Sequence, residues 1–145
     1  MTNGETSSAG KIGGRYVTAA GRLLMGLLFL VTGLNGFFNF LPPPSAPMPE
    51  GAAAFAGALM KTGYMFRMVM ATQVVVGVLL LSNRFVPLAL ALIAPVVVNI
   101  VAFHVFLAPS GRLIAAVVLV LEASLTWAYR KAYRPMLAPR ATPGG

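Results

Sequence analysis

Apolar residues in this chain do not alternate with polar ones but run on in long stretches. Four segments, roughly Val17 to Phe40, Tyr64 to Leu81, Phe85 to Leu107 and Leu113 to Tyr129, are almost continuously apolar. A membrane helix needs about 20 such residues to cross about 30 Å of hydrocarbon, and these segments meet that need. The first starts as a secretory signal would, with Lys11, Arg15 and Arg22 ahead of the run Leu23 to Val31. It then continues into Phe37, Phe38 and Phe40 with no small-x-small cleavage pattern, so it reads as a retained span. The pattern predicts an all-α fold, an integral membrane four-helix bundle over residues 15–135. Tails at 1–14 and 136–145 are expected to be disordered, being small, polar or rich in Pro and Gly.

The links refine this picture. Ser82-Asn83-Arg84 and Ala108-Pro109-Ser110-Gly111 are short, so spans two to four are expected to run up and down as antiparallel neighbours. Pro87 suits the first turn of the third helix. The link Leu41 to Thr62 is long and opens on the stiff Pro42-Pro43-Pro44. After Glu50, Phe55 and Leu59 share one helical face, which predicts a short interfacial helix in the first outer loop. It would either lid the bundle or serve as a plain connector.

Composition supports a lipid environment: 58% of residues are apolar and 10% charged, against about 25% charged in soluble domains. The net charge of +8 raises nucleic acid as a partner, but its placement argues otherwise. Basic residues flank the spans in short clusters and line no single groove with aromatics, so no nucleic-acid partner is expected. Lys11, Arg15, Arg22, Arg84, Arg130, Lys131, Arg134 and Arg140 fall on one side, and Lys61, Arg67 and Arg112 on the other. By the positive-inside rule both termini are cytoplasmic, and the clusters anchor to anionic headgroups of the bilayer. The chain has no Cys, which excludes disulfides, thiolate metal sites and Cys nucleophiles within it.

Polar residues inside spans cost free energy and are the informative ones: Asn35, Asn39, Arg67, Gln73, Asn99, His104 and Glu122. At about 1.5 Å per residue, Gln73, Asn99 and Glu122 lie near mid-bilayer, with Arg67, His104, Asn35 and Asn39 nearer the outer interface. They read as one column opening outward. Glu122 is the costliest, and it is expected to face the interior and to be protonated or paired, with Arg67 the natural partner. A Glu and Arg pair that only ties two helices together is the competing account. Asn35 and Asn39, one turn apart, fit interhelical glue, as does Gln73, and Thr32 with Gly36 permits close helix approach. Pro95 frees the Ala91 carbonyl, which Gln73 or Asn99 would re-satisfy.

His104, the only His, is able to relay protons or to hydrogen-bond a quinone carbonyl, although a lone His near an interface is more often a bridging group. One His, one span acid and no Cys or Asp exclude a metal site. No phosphate loop, nucleophile triad or carboxylate pair appears, so an autonomous enzyme is not expected.

The run Gly-Arg-Leu-Leu-Met-Gly-Leu-Leu-Phe-Leu-Val-Thr-Gly-Leu-Asn from Gly21, then Lys-Thr-Gly-Tyr-Met from Lys61 and Ala-Pro-Val-Val-Val-Asn-Ile-Val-Ala-Phe-His from Ala94, resembles the DoxX family. So does the ending Trp-Ala-Tyr-Arg-Lys-Ala-Tyr-Arg-Pro from Trp127. The resemblance spans about Gly21 to Pro135. It implies a small bacterial inner-membrane four-helix protein, with some relatives associated with quinone-linked redox complexes. Asn35, Gly63, Tyr64, Asn99, His104 and Glu122 fall at polar or Gly positions of the family pattern. Thiol-dependent relatives are poor templates, because Cys is absent. The expected function is therefore an outward-facing polar pocket, built from Glu122, Arg67, His104, Asn99, Gln73 and Asn35, that binds a small amphipathic ligand such as a quinone within a redox system. No other cofactor is required. The alternative is an accessory or assembly subunit that docks onto membrane redox complex subunits. A homo-oligomer is compatible with either.

Overall fold

A computed structural model describes residues 5–140, with side chains from Ile12 onward. The described residues form helices and contain no strand. Helix α1 spans Glu5–Phe38, α2 Glu50–Lys61, α3 Met65–Leu81, α4 Val86–Phe106, α5 Arg112–Ala128 and α6 Arg130–Tyr133. Single 3-10 turns precede α5 and follow α6, at Pro109–Gly111 and Arg134–Leu137. Helices α1, α4 and α5 are long and apolar enough to cross a membrane; α3 qualifies as a fourth span when joined to α2, from which it is bent by 92°. At 17 residues, α3 rises about 25 Å, enough for a thin or locally adjusted core.

The four spans close into a ring in which α1 packs on α3, α3 on α4, α4 on α5 and α5 on α1. Met25, Phe29, Val76, Leu80, Leu90, Ile93 and Val97 are enclosed at its centre. Leu24, Leu27, Val78, Leu92, Val98, Ile114 and Val120 stand exposed on the outside. Apolar side chains on both faces of a helix are the mark of a lipid-facing surface.

The α1 helix also runs back through residues 5–14, where a loose tail was expected. Once a span has nucleated a helix, each further residue adds a bond for little extra cost. At 34 residues α1 reaches about 50 Å, so its beginning projects beyond the hydrocarbon. The α1 helix ends where Asn39 takes a left-handed φ of 48° and Asn35 Oδ1 accepts the Leu41 amide at 2.7 Å. Asn35 is thus occupied in closing α1 rather than gluing helices together.

Glycines bring α1 and α3 together. A Cβ on Gly77 would lie 2.6 Å from the Leu30 amide nitrogen, and one on Gly33 would lie 2.9 Å from the Met70 carbonyl oxygen. Both meet backbone, which cannot swing away as a side chain would. The expected Gly36 contact exists, but against the Met70 side chain.

At the end where α3 turns into α4, Arg22 is buried and its guanidinium donates to the Leu80 carbonyl and, at 3.5 Å, to that of Leu81. These belong to the last turn of α3, whose carbonyls have no intrahelical donor and carry the negative pole of the helix. Arg22→Met is expected to lower stability by about 1.5–3 kcal/mol, as loss of a charged hydrogen bond does. The exposed Arg15→Met provides a near-neutral comparison in the same detergent melt.

Tyr133 fastens the C-terminal segment by donating its hydroxyl to the Pro87 carbonyl at 2.8 Å. Burial, and then the nearby Glu122 carboxylate, push this hydroxyl above its ordinary value. The folded state therefore holds the proton more tightly than the unfolded chain. Its contribution is full below about pH 10 and is lost as the pH rises through the higher folded value. Alkaline melts should show this decline in the native chain and a weaker one in Tyr133→Phe.

Candidate functional site

The 92° bend between α2 and α3 turns on Gly63, at φ +78°, which only glycine adopts without strain. Thr62 secures the corner: its hydroxyl donates to Leu59 O at 2.7 Å and accepts the Met65 amide at 2.9 Å. This lays α2 across the end of the bundle remote from the α3–α4 turn. Phe55 of α2 packs against Phe103 of α4 with ring centroids 5.7 Å apart.

Beneath α2, between α3 and α4, lies a cavity of about 190 Å³. Its walls are mostly apolar, among them Phe55, Leu59, Phe66, Met70 and Phe103, and three polar side chains join them: Gln73, Asn99 and His104. Gln73 is buried, and its side-chain amide lies 2.8 Å from the Thr32 hydroxyl, which also reaches the Leu28 carbonyl at 2.8 Å. Asn99 makes no side-chain hydrogen bond among the described residues and adds a donor and an acceptor. His104 is fixed on two sides. Its Nδ1 lies 3.1 Å from the Ala108 carbonyl, and a Cβ on Gly111 would overlap its ring. The carbonyl can only accept, so Nδ1 is the donor, and in the neutral ring Nε2 is then an acceptor.

The expected column is therefore split. Gln73, Asn99 and His104 share one cavity; Glu122, Arg67 and Asn35 do not line it. Arg67 is exposed beside Met60, Gly63 and Phe66 at the start of α3. The expected Arg67 and Glu122 pair does not form, because α3 and α5 stand across the ring from each other and Arg67 sits at the end of its helix. Glu122 occupies the core face of α5 with Ala115, Val118 and Leu125. Its Oε1 meets the Thr126 hydroxyl at a long 3.5 Å, and Oε2 is buried with no partner. Neither Gln73 nor Asn99 bonds the carbonyl freed by Pro95, which lies on the exposed side of an unbroken α4. Among the described residues no cluster of three metal-ligating side chains occurs.

The structure adds two fastening residues, Arg22, which reads in the sequence as a flanking charge, and Tyr133. A signal for Arg22 was present: it lies three and seven residues before Met25 and Phe29, on the same buried stripe. Tyr133 carried none, since its partner Pro87 is distant in the chain.

No curated protein and no solved structure matches the chain. A family model does, over residues 17–105, which runs from within α1 to the last turn of α4 and takes in all three polar residues of the cavity but not α5 with Glu122. With more than half its length matched and its helices long and apolar enough to cross lipid, this chain is a multi-pass membrane protein that belongs to the DoxX family.

Proposed function

We propose that the cavity beneath α2 binds the ring headgroup of a small amphipathic ligand, a quinone by preference, within a membrane redox system. The observation that carries this reading is the convergence of Gln73, Asn99 and His104 in an otherwise apolar cavity. A cavity of about 150 Å³ takes a benzene ring, so about 190 Å³ suits one substituted ring whose tail leaves toward lipid. Few polar groups in an apolar wall is also how small-molecule sites fix orientation. Asn99 and the Gln73 amide supply donors for ring carbonyls, and His104 Nε2 supplies an acceptor for a ring hydroxyl. Bound there, the quinone would bring the redox chemistry, and the chain would orient the ring and keep water from it. Eight of the basic residues lie at the opposite end, which supports an inner-membrane protein with both termini cytoplasmic and the cavity on the outer side.

Titration of the detergent-extracted protein with a fluorescent quinone analogue tests this. Asn99→Leu and His104→Phe should each weaken binding about tenfold, the loss of one hydrogen bond worth about 1.4 kcal/mol. Glu122→Gln should bind as the native chain does. Unchanged affinity in the Asn99 and His104 variants would remove the reading.

A further inference from the structure

A second cavity opens at the other end of the bundle, where α5 meets α6. This bowl of about 1070 Å³ is walled by α1, the α3–α4 turn and the α5–α6 junction, and Arg15, Arg22, Arg130 and Lys131 line it together with Asn83. Among the described residues no carboxylate shares the bowl. Of the acids whose side chains are described, Glu50 begins α2 at the far end and Glu122 is enclosed on the core face of α5. Arg22 already donates to the α3 carbonyls, whereas Arg15, Arg130 and Lys131, with no counter-charge among the described side chains, call for an anion from outside. Arg130 is held in place by its bond to the Trp127 carbonyl at 2.9 Å and by the Trp127 ring 4.9 Å away. Its remaining guanidinium donors stay free.

Thr18, on the bowl's wall, also lines a groove of about 400 Å³ that runs between α1 and α5 toward the middle of the spans. Val17, Leu24, Leu121 and Leu125 make the groove apolar. Gly21 puts no side chain into it; a Cβ there would sit in ordinary contact with Leu121 at 3.6 Å. A charged bowl joined at Thr18 to an apolar groove has the two-part chemistry of a phospholipid. We infer that this is a binding site for an anionic glycerophospholipid, with the phosphate headgroup among Arg15, Arg22, Arg130 and Lys131 and one acyl chain laid between α1 and α5. A free phosphate would use the bowl alone. The lipid explains bowl and groove together, as basic pockets between membrane helices do.

The experiment purifies the full chain from mixed micelles of phosphatidylcholine and phosphatidylglycerol in equal amounts and measures the retained lipid by mass spectrometry. Phosphatidylglycerol should be enriched at least about tenfold, each cation near the headgroup contributing about fivefold. The triple variant Arg15→Gln, Arg130→Gln, Lys131→Gln leaves the Arg22 bond to α3 intact and should bring retention to parity. Lys131→Gln alone should cost about fivefold, which keeps the test decisive if the triple variant fails to fold. Neutralising Arg84, Arg134 and Arg140, which lie outside the bowl, should leave the enrichment in place. Ser124 also lines the groove, and Ser124→Phe should fill it and lower lipid retention without changing binding of inorganic phosphate. Parity in the native chain, equal loss in both triple variants, or full displacement by free glycerol phosphate would each overturn the assignment.

Discussion

Gly77→Val is expected to cost about 3 kcal/mol or more, the upper range for overpacking a well-filled core, and to lower the yield of folded protein sharply. Its new side chain would have to occupy space in which a Cβ alone comes within 2.8 Å of the Leu30 Cα. Relief requires α1 and α3 to separate, which would loosen the packing around Phe29, Val76 and Leu80. In lipid no hydrophobic force draws helices together, so close packing of small residues carries much of their association. The comparison is Gly57→Ala in α2, where a Cβ meets nothing within 4 Å. That change should be neutral or stabilise by up to about 1 kcal/mol through helix propensity. Thermal midpoints by circular dichroism in one detergent would check both, and a Gly77→Val midpoint equal to the native one would refute the close α1–α3 contact.

Glu122→Met should raise stability by about 2 kcal/mol. A buried oxygen without a partner costs about 1–3 kcal/mol, and Oε2 of Glu122 is such an atom. Met has a similar length, no polar atom and enough flexibility to fill the vacated space beside Val118 and Leu125. A chain that loses stability on this change must have a partner for the carboxylate in the membrane. The same variant should keep its affinity for the quinone analogue, because Glu122 lies outside the cavity beneath α2. Stability and binding together separate a residue that burdens the fold from one that serves the site.

Much of this molecule is legible in its residue order. The long apolar runs announce the spans, since hydrocarbon demands length and lack of charge, and these are local properties. The short links Ser82 to Arg84 and Ala108 to Gly111 impose antiparallel neighbours, and Phe55 with Leu59 announces the crossing helix α2. Gln73, Asn99 and His104 stand out because polar groups are costly in a span. The grouping of those residues is another matter. A depth estimate placed seven polar side chains in one column, whereas the angular position of each helix decides which of them meet. Rotation put Glu122 in a separate part of the core and left Arg67 at an exposed edge.

The sequence by itself determined that this chain crosses lipid in several helices, because composition and run length depend on no distant partner. Which helix touches which, and therefore where the cavity, the bowl and the groove lie, was decided by tertiary packing. The approach of α1 to α3 rests on Gly33 and Gly77, and the fastening of α3 to Arg22 rests on a carbonyl far along the chain. Contacts of that kind follow from three-dimensional closure of the ring, which no local pattern of residues encodes.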